Sequence, residues 1–459
     1  MTDVTALRSA LTPLLPGVRA DLERLVRIPS VSAAAFDQTH VQASADAVAG
    51  LLRDAGLDDV QVLRASRPDG SDGAPAVVAR RPAPAGRPTV LLYAHHDVQP
   101  PGREDGGASP AFEPTERAGR LYGRGTADDK AGVMAHVAAL RTLLPTWGPG
   151  DGVGVVVFVE GEEESGSPSF TDFLTRYRDL LEADVIVVAD SDNWDVGTPS
   201  LTTTLRGLVE ADVEVSTLRA AVHSGMYGGV APDAMLATLT LLARLWDADG
   251  SLAVPGLVRT GAADLDYDEA RLREESGLLD GVSLVGAGSI LERMWTAPSV
   301  TVTGIDAPSV AHASNTLQPT VRAKLSMRVA PGEDPQQAFE ALERHLLDHA
   351  PFGARVTVSL KELGKPFAGD VDGPVYDAAR WALTQAWDGA DVVEQGIGGS
   401  IPFIADFVEV FPQSTVLVTG VEDPHTQAHG YDESLHLGVF EKACLAEVLL
   451  LSRLAGDGA

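Results

Sequence analysis

The chain has 459 residues, 44% of them hydrophobic, enough for two or three domains with sizeable cores and too apolar for a disordered chain. With 35 basic against 65 acidic residues its formal charge is -30, and no basic stripe is present to neutralise phosphates, so nucleic acid and anionic membrane surfaces are poor partners. The single cysteine, Cys444, excludes an intrachain disulfide; no apolar run reaches the roughly 18 residues of a membrane span and no signal segment is evident, so a soluble cytoplasmic protein is expected.

From the N-terminus, an amphipathic helix is expected over Val4 to Val26 and a second over about Val41 to Ala55, with Arg27-Ile28-Pro29-Ser30 as the break between them. Val60 to Leu63 and Ala76 to Arg80 read as strands flanking a turn-rich segment. Thr89 to Ala94 is a continuous apolar run too short for a helix, as in a strand buried on both faces, and it ends in His95-His96-Asp97. Gly123 to Gly132 is a glycine-rich turn containing Asp128 and leading into a helix over Val133 to Leu144. Gly154 to Val159 ends in Glu160-Gly161-Glu162-Glu163-Glu164, Val185 to Ala189 in Asp190-Ser191-Asp192, and Thr415 to Thr419 is followed by Gly420, His425 and His429. Between them, Leu208 to Val215, Pro232 to Trp246, Ser299 to Thr303, Thr320 to Val329, Asp334 to His349 and Arg355 to Leu360 read in the order βαββαβ. That order points to an inserted ferredoxin-like unit, with Ala262 to Met294 as a helical elaboration within it and Val375 to Trp387 as the returning helix. The expected fold is therefore α/β, a central sheet flanked by helices over 1–200 and 368–459, and an inserted lid and dimerisation domain over 201–367.

In α/β sheets, ligand sites gather beyond the carboxyl ends of the strands, so these His, Asp and Glu clusters can converge. Two neighbouring divalent cations repel, and a shared carboxylate relieves the repulsion; Asp128 is the candidate bridge. Histidine with carboxylate favours zinc, with manganese or cobalt as alternatives. His95, Asp128 and Asp192 are assigned to one ion, and Asp128, Glu164 and His429 to the other. A carboxylate adjoining a ligand can act as general base without occupying the metal, but spacing does not separate Glu162, Glu163 and Glu164. Spacing would also allow His96 or His425 as ligands, whereas His136, on a helix face, reads as structural.

The segments Tyr93 to Pro100, Leu121 to Lys130, Glu160 to Gly166 and Asp192-Asn193 resemble the metal-binding motifs of the M20 metallopeptidases, nearest to the carnosinase-like dipeptidases. The likeness runs from Leu25-Val26-Arg27-Ile28-Pro29-Ser30 to His429. It implies that His95 is a ligand oriented by Asp97, that Asp128 bridges, and that its peptide bond to Asp129 matches one that is cis in the family. Glu163 matches the general base, with Glu164, Asp192 and His429 as the remaining ligands; His429 is preferred over His425 because Asp432-Glu433 follows it. Glu162 is left as a solvated loop charge.

The resemblance further implies that His223 reaches a partner subunit's active site and helps hold the oxyanion, which makes a homodimer part of catalysis. It implies that Arg328 pairs with the substrate's C-terminal carboxylate and that the loop around Gly399 and Ser400 meets the same group, with Asn315 lining the site. Relatives carry an arginine and an acidic residue just before these glycines, where this chain has Gly396 and Ile397. The expected activity is hydrolysis of a dipeptide or short peptide with a free C-terminal carboxylate. The alternatives are an N-acyl- or N-carbamoyl-amino-acid deacylase on the same site, a non-catalytic binding protein, and a two-metal phosphoesterase for which only Arg124 and Lys130 offer basic clamps.

Overall fold

A computed structural model describes residues 3–102, 107, 109–148, 150–261, 265–399 and 401–456. The chain divides into two compact units, the first formed by 1–203, 369–395 and 406–459, the second by 204–368 and 396–405.

The first unit is built on a sheet whose strands lie in the order Asp59–Leu63, Ala76–Arg81, Gly154–Glu160, Thr89–His95, Val185–Val188, Thr415–Val418 and Ser200–Leu205. The four from Gly154–Glu160 to Thr415–Val418 run parallel. They are the continuous Val, Leu and Ile runs of the sequence, and both faces are covered. On one face Val90, Leu92 and Ala94 join the core with helix Lys130–Leu143, in which every residue except Arg141 is buried. On the other, the Tyr93 ring meets Phe158, Phe170 and Phe407 edge-on, with centroids 5.5 to 6.1 Å away. Each such fully buried side chain contributes about 1.5–3 kcal/mol, which is why these strands set the position of everything at their ends. Close approach also demands glycine: a Cβ at Gly132 would lie 2.1 Å from Asp129 Oδ1, and one at Gly420 would lie 1.6 Å from the Ser191 carbonyl oxygen.

The N-terminal helix is not continuous. Val4–Leu11, capped by the Asp3 carboxylate, and Leu15–Val26 are separated at Thr12-Pro13-Leu14, where Pro13 cannot donate to a helical hydrogen bond.

The second unit has an antiparallel sheet in the order Ser299–Asp306, Thr320–Val329, Gly207–Ser216, Arg355–Gly364, with helices Ala234–Leu242 and Pro335–Asp348. In chain order this is βαββαβ, and the spatial order 2-3-1-4 is the ferredoxin-like arrangement expected. Val209, Ala211, Val213, Leu325, Met327, Leu342 and Leu346 share its core. The opposite sheet face is polar and laced with ion pairs such as Lys324 to Glu210 at 2.5 Å and Lys361 to Asp212 at 3.2 Å. The expected helical elaboration over 262–294 is mostly irregular: among the described residues, helical turns occur only at Glu269–Ser276 and from 290 onward into Glu292–Thr296. Gly277, Gly281, Gly286 and Gly288 all take positive φ between or beside them, a conformation that ends helices.

Candidate metal centre

The parallel strands of the first unit bring their carboxyl ends together. His95 closes strand Thr89–His95; its Nε2 lies 3.1 Å from Asp128 Oδ1 and 3.8 Å from Asp190 Oδ1. Its Nδ1 faces Asp97, 3.1 Å from the carbonyl oxygen and 3.4 Å from Oδ1, and its backbone N–H donates to Asp129 Oδ2 at 3.1 Å. Burial works against the charge on His95, but the hydrogen bonds with Asp128 and Asp97 outweigh it and hold its pKa well above the ordinary value.

The second oxygen of Asp128, Oδ2, is 3.1 Å from His429 Nε2, which also stands 3.2 Å from Glu164 Oε2. Hydrogen bonds with Asp128 and Glu164 push His429 up to about 11. Burial favours the neutral acid at Asp128, yet the two imidazoles prevail and hold its carboxyl below the usual range. The Asp128–Asp129 peptide bond is cis.

Beyond strand Gly154–Glu160 the chain turns at Glu163–Ser165 and stops at Gly166, φ 82°. The Asp97 carboxylate accepts the N–H groups of Glu163 at 3.2 Å and Glu164 at 3.1 Å, so the residue behind His95 also anchors the glutamate pair. Gln99 donates to the Glu164 carboxylate from its backbone at 3.1 Å and its side chain at 2.8 Å. Glu162 is no solvated charge. It is buried, paired with Arg67 at 2.7 Å, and accepts the N–H groups of Ala74 and Ser169 at 2.9 Å, because its neighbours leave it facing the Arg67 loop.

Asp190 Oδ1 comes within 3.8 Å of His95 Nε2, next to the Asp192 expected as the ligand there. Asp192 Oδ1 accepts a 2.8 Å hydrogen bond from Gln395 Nε2, and its backbone pairs with Glu422.

Two groups of donors result, His95 with Asp129 and Asp190, and Asp128 with Glu164 and His429, each with its atoms within 4.8 Å of one another. Burial, reinforced by neighbouring carboxylates, pushes Asp190 up to about 7 and Asp129, Glu163 and Glu422 well above the usual carboxylate range. Asp129 Oδ1 is buried without a hydrogen-bond partner. Anionic donors crowded in this way, with imidazoles interleaved and a buried oxygen unpaired, fit two divalent cations.

The remaining histidines serve elsewhere. His96 is fully buried, bonded through Nε2 to the Pro75 carbonyl at 2.9 Å, and burial lowers it to about 4. His136 joins Glu447 at 2.8 Å to the Tyr93 carbonyl at 3.0 Å, the structural role expected of it. His425 is exposed, and His436 Nδ1 accepts the Val439 N–H at a helix start. The basic clamps are occupied: Arg124 holds Glu433 and the Gly430 carbonyl, both at 2.8 Å, and Lys130 holds the carbonyls of Leu25 at 2.9 Å and Ile28 at 2.8 Å. A phosphate-binding reading is thereby disfavoured.

In the second unit, His223 is exposed and its Nδ1 accepts the Gly225 N–H at 3.0 Å. Asn315 is exposed beside it, its carbonyl accepting the Ser224 N–H at 3.0 Å. Arg328 lies on the polar face of strand Thr320–Val329, paired in register with Leu208 and Ser299. Gly399 is half-buried, and Ser400 lies outside the described residues.

The profile of peptidase family M20/M25/M40 matches residues 91–453. The chain belongs to that family. A cysteinylglycine-S-conjugate dipeptidase of Corynebacterium striatum is 33% identical over 417 residues, covering 90% of each chain. The human Beta-Ala-His dipeptidase is 30% identical over 371 residues, 75% of this chain and 70% of that one. Among solved structures, a dipeptidase of Saccharomyces cerevisiae superposes with a TM-score of 0.82 at 22% identity over 99% of both chains, which shows the shared fold. As an M20 member the protein is a metal-dependent peptidase, and its two donor groups are the candidate dimetal site.

Proposed function

We propose that this M20 peptidase hydrolyses the amide bond of dipeptides or similarly short peptides with a free C-terminal carboxylate. The observation that carries the proposal is the Asp128 carboxylate, with one oxygen against His95 and the other against His429, and Glu163 in the adjoining turn. The printed names of the Corynebacterium and human relatives, both dipeptidases, support the substrate class. Two divalent ions, zinc first and manganese or cobalt as alternatives, would be held by His95, Asp128, Asp192, Glu164 and His429, with Asp129 and Asp190 beside them as further donors. When bound, such ions acidify a water and polarise the scissile carbonyl. Glu163, whose carboxyl burial pushes up, takes the proton of the attacking water and returns it to the leaving amine. Arg328 and the loop around Gly399 and Ser400 take the substrate carboxylate, Asn315 lines the site, and His223, delivered across a homodimer, donates to the oxyanion. In this reading 1–200 and 368–459 form the catalytic domain and 201–367 the lid and dimerisation domain of a cytoplasmic enzyme. Consistent with it, no helix among the described residues is long and apolar enough to cross a membrane.

The second reading is a deacylase. One observation favours it: Gly396 and Ile397 offer no charge to a substrate ammonium just ahead of the glycine loop, and a Cβ at Gly396 would lie 2.6 Å from Thr204 Oγ1. Metal-stripped protein re-supplied with zinc, manganese or cobalt should be assayed on a dipeptide panel beside N-acetyl and N-carbamoyl amino acids. Metal-dependent dipeptide cleavage supports the first reading; activity confined to acylated substrates moves the assignment to the second.

A further inference from the structure

Glu433 has no part in the chemistry proposed above, yet it is 1% exposed and its carboxylate gathers four donors from one short segment. Oε1 accepts the N–H groups of Ala127 at 3.0 Å and Asp128 at 3.2 Å. Oε2 accepts the N–H of Gly125 at 2.9 Å and Arg124 Nη1 at 2.8 Å. The reverse links close the pair: the Gly123 N–H donates to the Glu433 carbonyl at 3.0 Å, and Arg124 Nη2 donates to the Gly430 carbonyl at 2.8 Å, one residue beyond His429. The turn carrying Asp128 and the loop carrying His429 are thus tied to each other directly, by bonds of which several involve a charged partner and are correspondingly strong.

We infer that Glu433, together with Arg124, is a positioning pair that fixes Asp128 against His429 and so sets the affinity of the Asp128, Glu164 and His429 group for its metal. The inference rests on reading those three residues as ligands. A glutamine at 433 keeps the volume but turns one acceptor into a donor, which then faces the Gly125 N–H and Arg124, or the N–H groups of Ala127 and Asp128. A lysine at 124 keeps the charge but cannot reach Glu433 and Gly430 with a two-pronged fork. Both changes leave every ligand in place and loosen only the frame between them.

The test uses the full chain, stripped by chelator and titrated with zinc in competition with a chromophoric chelator. Metal-free and zinc-loaded melting temperatures are measured beside it. The variants are Glu433→Gln, Arg124→Lys and, as a control for ordinary buried pairing, Glu447→Gln at the His136 pair. Wild type should take up two ions. Glu433→Gln should weaken the uptake by about 10- to 100-fold and shrink the zinc-induced rise in melting temperature. Arg124→Lys should do the same to a smaller extent. Glu447→Gln should lower the metal-free melting temperature and leave zinc affinity unchanged. A folded Glu433→Gln with wild-type affinity overturns the inference; if that variant does not fold, unchanged affinity in Arg124→Lys overturns it. Wild-type protein that binds no zinc, manganese or cobalt fails at the earlier step and removes the ligand reading and this inference together.

Discussion

His429 and His223 are both exposed histidines on glycine-flanked loops, and they are held in different ways. The His429 side chain is 59% exposed, yet Asp128 and Glu164 grip its Nε2 from two sides, and Glu164 is itself fixed by Gln99. Among the described residues, the His223 side chain bonds only to the backbone two residues on, as the cap of a four-residue helix. In the first unit the candidate ligands define one another's positions, a preorganised arrangement. In the second, the His223 imidazole is set by the backbone of its own turn, the condition of a group that adjusts when a ligand arrives.

The hardest blow to the preorganised side is Asp128→Asn. It leaves both imidazoles without their shared anion and should remove the whole of an acceleration of at least about 10⁶-fold, with metal content measured alongside. Glu163→Gln should keep both metals and lower kcat by about 10²–10⁴-fold, separating proton transfer from binding. Glu162→Gln, one residue earlier, should leave metal affinity intact and cost about 1–3 kcal/mol of stability in denaturant titration, because the buried Glu162 carboxylate loses its charged hydrogen bond with the partly exposed Arg67. On the adjustable side, Arg328→Lys should raise KM about tenfold or more with little change in kcat, the loss of a charged hydrogen bond.

The smallest effect is a pH slope. His96 folds with its pKa lowered to about 4 from 6.5, so the unfolded chain takes up a proton that the folded one refuses between those values. The His96 contribution to the stability of metal-free protein therefore falls as pH drops from about 6.5 to 4, by up to about 1.4 kcal/mol per unit, while the raised Asp190 and His429 work in the opposite direction. His96→Asn should flatten that slope; an unchanged slope would place the proton elsewhere.

The strand ends were legible because continuous Val, Leu and Ile runs stop abruptly at His, Asp and Glu, and the second unit because its alternating strands and helices follow a recognisable order. Periodicity could not reveal that Asp190 and Asp129 stand beside His95 as further donors, since tertiary contacts bring them there. Nor could it show that Glu162 is buried, because its partners Arg67, Ala74 and Ser169 lie in other segments. Glu433 was visible only as part of a motif, three of its four donors being backbone groups that leave no trace in composition. Over 262–294 the apolar spacing suggested helix, and the glycines from 277 to 288 prevailed.

The strand Thr415–Val418 is slotted between Val185–Val188 and Ser200–Leu205, and His429 follows it. A chain emerging from the ribosome has therefore made the candidate donors His95, Asp128, Glu164 and Asp190 long before the sheet can close or His429 exists. At about 5–20 residues per second, the interval is filled by making the entire second unit. With His429 as a ligand, a growing chain cannot complete the Asp128, Glu164 and His429 group before the second unit has been made.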